Sequence, residues 1–561
     1  MNNHRFNIIA LGLAAASLAM VGTGCADSFL DVDSKTQSNT DNFYRTETDA
    51  WRALLGCYDG WKQTSSHVTQ GFYLASTIMS DETYGASGNS DNRVPQAWDQ
   101  FDQAQAASEL TMFSDAWKYY YAGVYRCNEL ITRQDNIKWD AASGKRGLYI
   151  GEARALRAIM YFDMVRLWGN IPLFLTPSGE NREQADPAEV YATIIDDLKF
   201  AAENIPATAN RLPDETGRIT KYAAETMLAR VYLYNTGYYG KEPGFNGTGT
   251  LTKSEALNGL EDVIRNGGYG LVSEFKNLWP GASLVPIADN VGWDTDKSTY
   301  AGDGNSEILL AMKFTPTSNW SEPYDGNKWM EMIGMRNLNM PPYGQGWGFA
   351  TVTPAYINKF DADDPRLTAS VTDLVAEGVE NYSWNNLTDP INDWREYTGY
   401  TVKKYCPLRY GNNTTGTNPS GTGDMQLDNV QQYVYMRYAD VLLMAAELGS
   451  ANAQTYFDQV RARSGRGSIA LNHDNLMEER AREFAFESIR YWDLMRQANG
   501  GEVTALADAV IASGGSVLNG GHAAMITYDR AKILRTKGLC QIPGDQITLS
   551  NGVLKQNPGW N

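Results

Sequence analysis

Apolar residues recur at spacings of three and four along several long stretches, and each stretch predicts an amphipathic helix. The pattern covers residues 46–62, 108–134, 145–168, 187–204, 220–236 and 252–266, and returns at 429–449, 452–463 and 474–498. Within 145–168, Ala155, Leu156, Ala158, Ile159, Phe162 and Val165 form one wide apolar face. Met160, Met164, Leu167 and Trp168 cover much of the rest, so this helix is expected to be buried on most sides. Gly169 can take a left-handed cap and Pro172 cannot continue a helix, which ends it. "VYMRYADVLLMAAEL" in 429–449 is likewise apolar around most of its circumference.

The helical patterns come in pairs, which suggests helix-turn-helix repeats packed side by side. "AAETMLARVYLY" (Ala223 to Tyr234) resembles the second helix of a tetratricopeptide unit, and "ALNGLEDVIRNGGYGL" (Ala256 to Leu271) reads as the next unit. Between the two helical parts lies a long irregular middle, 267–428. A second irregular segment, "SDETYGASGNSDNRVPQAWDQF", runs from Ser80 to Phe101, and the tail from about 527 to 561 reads as extended and turn-rich.

The first residues depart from all of this. "MNNHRFNIIALGLAAASLAMVGTGC" has a positive Arg5, an apolar stretch from Ile8 to Val21, small residues and then Cys25. That is a secretory leader, residues 1–24, of the bacterial lipoprotein type, with Cys25 as the lipidated mature N-terminus. Thr23 and Gly24 fit the pattern; Gly22 stands where a larger aliphatic is usual. The remainder has no run of ~20 apolar residues, so the expected attachment to a membrane is the lipid alone. Residues 25–45 read as a polar tether, and 46–561 as one domain.

The formal net charge of −18 argues against nucleic acid, whose phosphates need clustered Lys and Arg, and against docking on anionic lipid. Cys57, Cys127, Cys406 and Cys540 form no CxxC pair, and His67, His473 and His522 are the only histidines beyond the leader. No zinc spacing results, no metal or other cofactor is expected, and disulfides are left open. "DTDKSTYAGDGNSE" (Asp294 to Glu307) begins like a calcium loop but has Thr299 where glycine is needed and Asn305 where a bidentate Glu is needed. "RARSGRG" (Arg461 to Gly467) lacks the Lys-Ser/Thr ending of a phosphate loop, and GxSxG is absent. Arg437, Asp440, Met444 and Glu447 share one stripe, as do Arg480, Glu483, Glu487 and Arg490. Alternating charges at this spacing read as ion pairs that set helix register rather than as acid–base catalysts.

Four stretches then resemble one family. "EARALRAIMYFDMVRLWGNIPL" (Glu152 to Leu173), "RYADVLLMAAEL" (Arg437 to Leu448), "EERAREFAFESIRYWDLMR" (Glu478 to Arg496) and "IPGDQITLSNGVLKQNPGW" (Ile542 to Trp560) are similar to SusD/RagB proteins, in the family's order. "KQNPGW" departs slightly from the family's usual "QNPGY" ending. The resemblance implies a mostly α fold. A scaffold of tetratricopeptide-like helix pairs, about 46–266 and 429–498, would carry a loop-rich ligand region, about 80–101 and 267–428. It implies a lipid-anchored, surface-exposed outer-membrane protein of glycan import, non-catalytic, that binds oligosaccharide or polysaccharide and works with a SusC-like TonB-dependent transporter. Asp27, close behind Cys25, departs from simple outer-membrane sorting, though the family commonly tolerates acidic residues there.

The two irregular segments then share a reading. An indole or phenol ring can cover the C–H face of a pyranose while amide, guanidinium and carboxylate groups bond its hydroxyls. Trp98, Trp320 and Trp347 fall near where such proteins place sugar-stacking rings. Tyr84, Asn89, Asn92, Arg93 and Gln96 offer the polar complement around Trp98, and Trp329 is a further candidate ring. Trp347 stands between glycines in "GQGWG". Arg93 and Arg336 leave an acidic sugar open. Trp51, Trp61, Trp117, Trp168 and Trp492 lie in helical patterns and read as scaffold. The competing readings are a peptide- or protein-binding member of the family, a helical-repeat adaptor, and a glycoside hydrolase, which no motif supports.

Overall fold

The computed structural model describes residues 43–65, 71–212, 215–245, 249–286, 293–294, 297–319, 325–340, 342–383, 387–408, 424–498 and 500–560. The leader, Cys25, most of the tether and Trp320 lie outside the described residues.

The fold is mostly α, as the periodicity and the family resemblance predict. Helix α1 (Glu47–Gln63) opens with a capping box: Thr46 Oγ1 accepts from Asp49 N, and the Asp49 carboxylate accepts from Thr46 N. Two further helices, α2 (Phe72–Ile78) and α3 (Val94–Asp99), precede α4 (Ser114–Arg133). Helices α5 (Lys145–Trp168), α6 (Pro187–Asn204), α7 (Lys221–Tyr239) and α8 (Lys253–Asn266) follow. They pack as the pairs α1/α4, α5/α6 and α7/α8, the arrangement expected of tetratricopeptide-like units. Helix α5 is buried from Ile150 to Trp168 apart from one half-buried position, Arg154, and ends at Gly169, whose φ is +68°. Glycines bring α1 and α4 together: a Cβ on Gly60 would lie 2.8 Å from Gly123 Cα, so these helices touch backbone to backbone. One apolar core runs from Ala50 to Trp560, and a smaller cluster around Trp394, Met335 and Leu338 sits beside it.

Three stretches differ from the periodic reading. Residues 429–449 are not one helix: Tyr433–Arg437 is a strand, paired antiparallel with Ile308–Met312, and only Tyr438–Glu447 is helical (α10, after α9 at Lys328–Ile333). "YVYMR" is rich in aromatic and β-branched residues and buried on every side, so its apolar content carries no period. Helix α11 (Ala453–Arg463) forms as predicted and pairs with α10. Residues 474–498 break into α12 (His473–Glu483) and α13 (Arg490–Met495), because Phe486 and Ser488 adopt φ of +61° and +60° between them. The tail is less extended than its composition suggests. Helix α14 (Thr504–Ser513) leads to a hairpin, Ser516–Asn519 with His522–Met525, and α15 (Arg530–Thr536) and α16 (Gly544–Leu549) follow.

The charged stripes are ion pairs buried at the junctions of these elements. Arg437 reaches Glu307 at 2.7 Å, Glu483 at 2.6 Å and Glu487 at 2.8 Å. Arg480 bridges Asp440 and Asp493, both at 2.7 Å. Glu307, the last residue of the calcium-like stretch, also pairs with Arg463 at 3.1 Å and so serves this network. Cys57, Cys127, Cys406 and Cys540 are buried free thiols. Among the described residues no helix is long and apolar enough to cross a membrane, and no cluster of His, Cys, Asp or Glu has the makings of a metal site.

Candidate functional site

The segment 80–101 is stitched into the molecule rather than looped out from it. Thr83 and Ala86 bridge to Val352 and Phe349, and Ser87–Gly88 pairs with Trp394–Arg395. Arg395 gathers the segment from beneath, donating to Asn89 O at 2.7 Å, Gln96 Oε1 at 3.2 Å and Ser87 Oγ at 3.3 Å. Glu396 Oε2 accepts from Ala86 N at 2.7 Å and Gln96 Nε2 at 3.1 Å. These groups feel their burial. Desolvation, with Arg93 nearby, lowers Arg395 below the ordinary guanidinium range; burial raises Glu396, and burial with the charge of Glu396 raises Asp99 far above the usual carboxylate range.

This stitching turns the segment's large rings inward, which corrects three sequence expectations. Trp98 is 0% exposed and stacks on Phe113 at 5.2 Å. Tyr84 is 0% exposed and donates its hydroxyl to Ser513 O at 2.7 Å. Trp329, 3% exposed, stacks on Tyr73 at 4.7 Å and meets Tyr433 edge-on. A ring sealed on both faces offers nothing to a sugar, so these three are core. Gln96, buried and bonded to Glu396 and Ala86, is equally committed.

What remains on the outer face comes from both irregular segments, which the fold does bring together. Asn89, Asn92 and Arg93 are exposed at the turn and the start of α3, and Trp347 is half-buried beside them. Arg336 joins the two sides. Its Nε and Nη2 donate to Asp393 Oδ2 at 2.9 and 2.7 Å, and its Nη1 approaches Asp91 Oδ2 and the Trp347 carbonyl at 3.4 and 3.3 Å. Gln345, two residues before Trp347, turns its side-chain oxygen inward, buried and with no hydrogen-bond partner among the described residues. The glycines around Trp347 serve close packing rather than clearance: a Cβ on Gly346 would collide with Gly334 Cα, and one on Gly348 would lie 2.6 Å from Trp394 Nε1.

Sequence reasoning did not single out Asp91, Asn392, Asp393 or Arg395, nor the hairpin that closes the edge of this face. Gly520 and Gly521 form its two-residue turn with φ of +56° and +78°, the left-handed pair a tight hairpin requires. A Cβ on Gly520 would lie 2.8 Å from Asn89 Nδ2, so the tip sits directly on the Asn89–Asn392 contact, itself a 2.7 Å hydrogen bond. "NGGH" between two short alternating runs is the signal that reveals the hairpin. Backbone strain concentrates on this face: Ala86, Ser87, Asn337, Ala350 and Glu396 all adopt positive φ without being glycine. Such conformations persist where surrounding structure over-determines them, commonly at ligand sites.

Comparison with known proteins gives this architecture a family. The SusD family model matches residues 306–560, and a SusD-like model described as starch-binding and associating with the outer membrane matches residues 28–233. The chain belongs to the SusD family. A SusD-like protein of Bacteroides ovatus is 25% identical over 512 residues, spanning 86% of this chain and 81% of that one. A SusD-like protein of Formosa agariphila is 24% identical over 97% of this chain and 98% of its own. Among solved structures, a laminarin-binding SusD-like protein superposes with a TM-score of 0.70 at 26% identity, covering 92% of this chain and all of that one. Surface glycan-binding protein A of Bacteroides thetaiotaomicron, solved with laminarihexaose, superposes with a TM-score of 0.69 at 23% identity over 91% of this chain and 99% of its own. The second likeness speaks to the SusD fold alone.

Proposed function

We propose that this SusD family member is a non-catalytic glycan-binding protein, anchored through a lipid on Cys25 at the outer-membrane surface, that captures oligosaccharide or polysaccharide and delivers it to a SusC-like TonB-dependent transporter. The observation that carries the reading is a half-buried indole residue, Trp347, whose main-chain carbonyl is held by the guanidinium of Arg336 at 3.3 Å, so that both belong to one face. The ring supplies a face for a pyranose; Arg336, Arg93 and Asn89 supply polar groups for its rim. Trp320 remains part of the proposed ring set. The charge of Arg336 is answered by Asp91 and Asp393, so the face favours a neutral glycan over the acidic sugar that the arginines alone suggest. The same two carboxylates, tied to one guanidinium, are poorly placed to act as a hydrolase acid and base, which need separate environments. The laminarin-binding relative makes a neutral β-glucan the first ligand to try.

The test is an array of neutral and acidic polysaccharides probed with the chain lacking its leader, followed by calorimetry on each hit and on Trp347→Ala. Binding that falls sharply in the variant, with no sugar released, supports the reading. Release of reducing sugar, or binding untouched by Trp347→Ala and Arg336→Ala together, defeats it.

A further inference from the structure

A chain of rings leads from the buried underside of the segment 80–101 to another part of the surface. Trp98 stacks on Phe113 at 5.2 Å, Phe113 meets Trp168 edge-on at 6.3 Å, Trp168 meets Trp117 at 5.0 Å, and Trp117 leans on Tyr121 at 5.1 Å. The chain surfaces in a cleft of ≈ 360 Å³ between α4, the segment 172–182 and C-terminal residues 546–554. That volume is in the range of small-ligand sites.

The cleft has a built floor. Tyr121 and Phe174 meet edge to face at 5.8 Å, and both are half-buried. Tyr121 donates its hydroxyl to Pro172 O at 2.8 Å, and Asn128 Nδ2 donates to Phe174 O at 2.9 Å, so both walls are held to α4. One helical turn further along α4, Tyr125 is 47% exposed. Glu129, one turn on, accepts from Arg133 Nε at 2.6 Å, and its charge raises the Tyr125 hydroxyl above the ordinary phenol range. An exposed ring on a rigid helix offers a face to a ligand without disturbing the core.

The rim is polar, two of its cations are engaged, and Glu180 adds an exposed carboxylate. Lys118 lies 3.5 Å from Asp545 and 3.7 Å from Asp115, and Arg182 lies over the Phe174 ring at 4.9 Å while donating to Leu173 O at 2.6 Å. Ser178, Asn181 and Gln546 complete it with neutral donors and acceptors. Rings under a rim of amides, hydroxyls, one open carboxylate and engaged cations match an uncharged polyhydroxylated ligand better than an acidic one, with its C–H face on the rings and its hydroxyls on the rim.

We propose that this cleft is a second carbohydrate-binding site, taking a short stretch of neutral oligosaccharide, so that one long glycan is held at two places on the same chain. The inference rests on the glycan reading of the first face for its ligand class. Two linked contacts on one polymer raise its apparent affinity well above that of either site.

The test is calorimetry with laminarihexaose and laminarin, alongside maltohexaose with starch and cellohexaose with a mixed-linkage glucan. It uses the wild type, Trp347→Ala, Tyr125→Ala and the double variant. Tyr125 lies on the surface, so its loss leaves the core intact. The expected result is residual hexasaccharide binding in Trp347→Ala that vanishes in the double variant, with polymer affinity falling roughly tenfold or more in Tyr125→Ala alone. Tyr125→Phe, which keeps the ring, is expected to bind close to the wild type. If Tyr125→Ala binds every polymer like the wild type, and Trp347→Ala alone abolishes hexasaccharide binding, the second site is overturned and the first stands. If the wild type binds none of these glycans, both fall.

Discussion

Arg336 donates from Nε and Nη2 to a single oxygen of Asp393, at 2.9 and 2.7 Å, which fixes the plane of its guanidinium beneath the candidate face. A lysine carries one point charge and cannot reproduce that fork. Arg336→Lys is therefore expected to weaken glycan binding by roughly tenfold, about one charge-assisted hydrogen bond, while the melting temperature barely moves. Asp393→Asn leaves the guanidinium less compensated. The ratio of sulfated to neutral glycan affinity should then rise, and calorimetry with one ligand of each kind reads it directly. An unchanged ratio shows that Asp393 does not set the charge of this face.

Trp98 and Trp347 should part company when each is truncated. Trp98→Ala empties a sealed site between the segment 80–101 and Phe113 and is expected to cost about 3–5 kcal/mol in denaturant unfolding. Trp347→Ala removes a half-exposed ring and is expected to cost far less stability but most of the affinity. Equal stability losses contradict the assignment of one to the core and the other to the face.

Glu82 makes stability depend on pH. It is fully buried and accepts from Phe486 N at 2.6 Å. Burial pushes its carboxyl up from 4.5 to about 8, with Asp81 adding to the rise and Arg490 and Lys404 opposing it. The folded state thus favours the protonated form. The stabilisation is fully present below the unfolded value of 4.5 and is lost as pH climbs towards about 8. Glu82→Gln removes the titration, so its melting temperature should exceed the wild type's at about pH 9 and match it at about pH 4.5. Parallel melting curves at both pH values discard this account.

The Arg437 network should be fragile to single deletions. Burial pushes the Glu483 carboxyl up, yet Arg463, Arg437 and Arg366 together hold it well below the usual range. Removing one partner strands buried charge, so Glu483→Gln or Arg437→Met is expected to cost about 3–5 kcal/mol, measured by chemical denaturation of the full mature chain. A loss under about 1 kcal/mol puts the network in the class of solvated surface pairs.

Helix positions follow from local chemistry, which is why they were legible. The α5 period and the Gly169 stop involve residues within a turn or two of one another. The 433–437 strand was not legible, because a segment buried on all sides shows no period, and its partner Ile308–Met312 lies more than a hundred residues away. The convergence of 80–101 with the irregular middle was anticipated. The direction in which its rings point was not.

The sequence by itself determined the helical pairs, the family and the two irregular segments from which a ligand face could be built. Period, capping and motif are written in neighbouring residues. Only the tertiary structure decided that Trp98, Tyr84 and Trp329 face inward, that Trp347 and Arg336 remain at the surface, and that Asp91 and Asp393 meet on one guanidinium. A ring's burial depends on which distant segment covers it. Here the covers are Phe113, Ser513, and Tyr73 with Tyr433, which only the folded chain brings into contact.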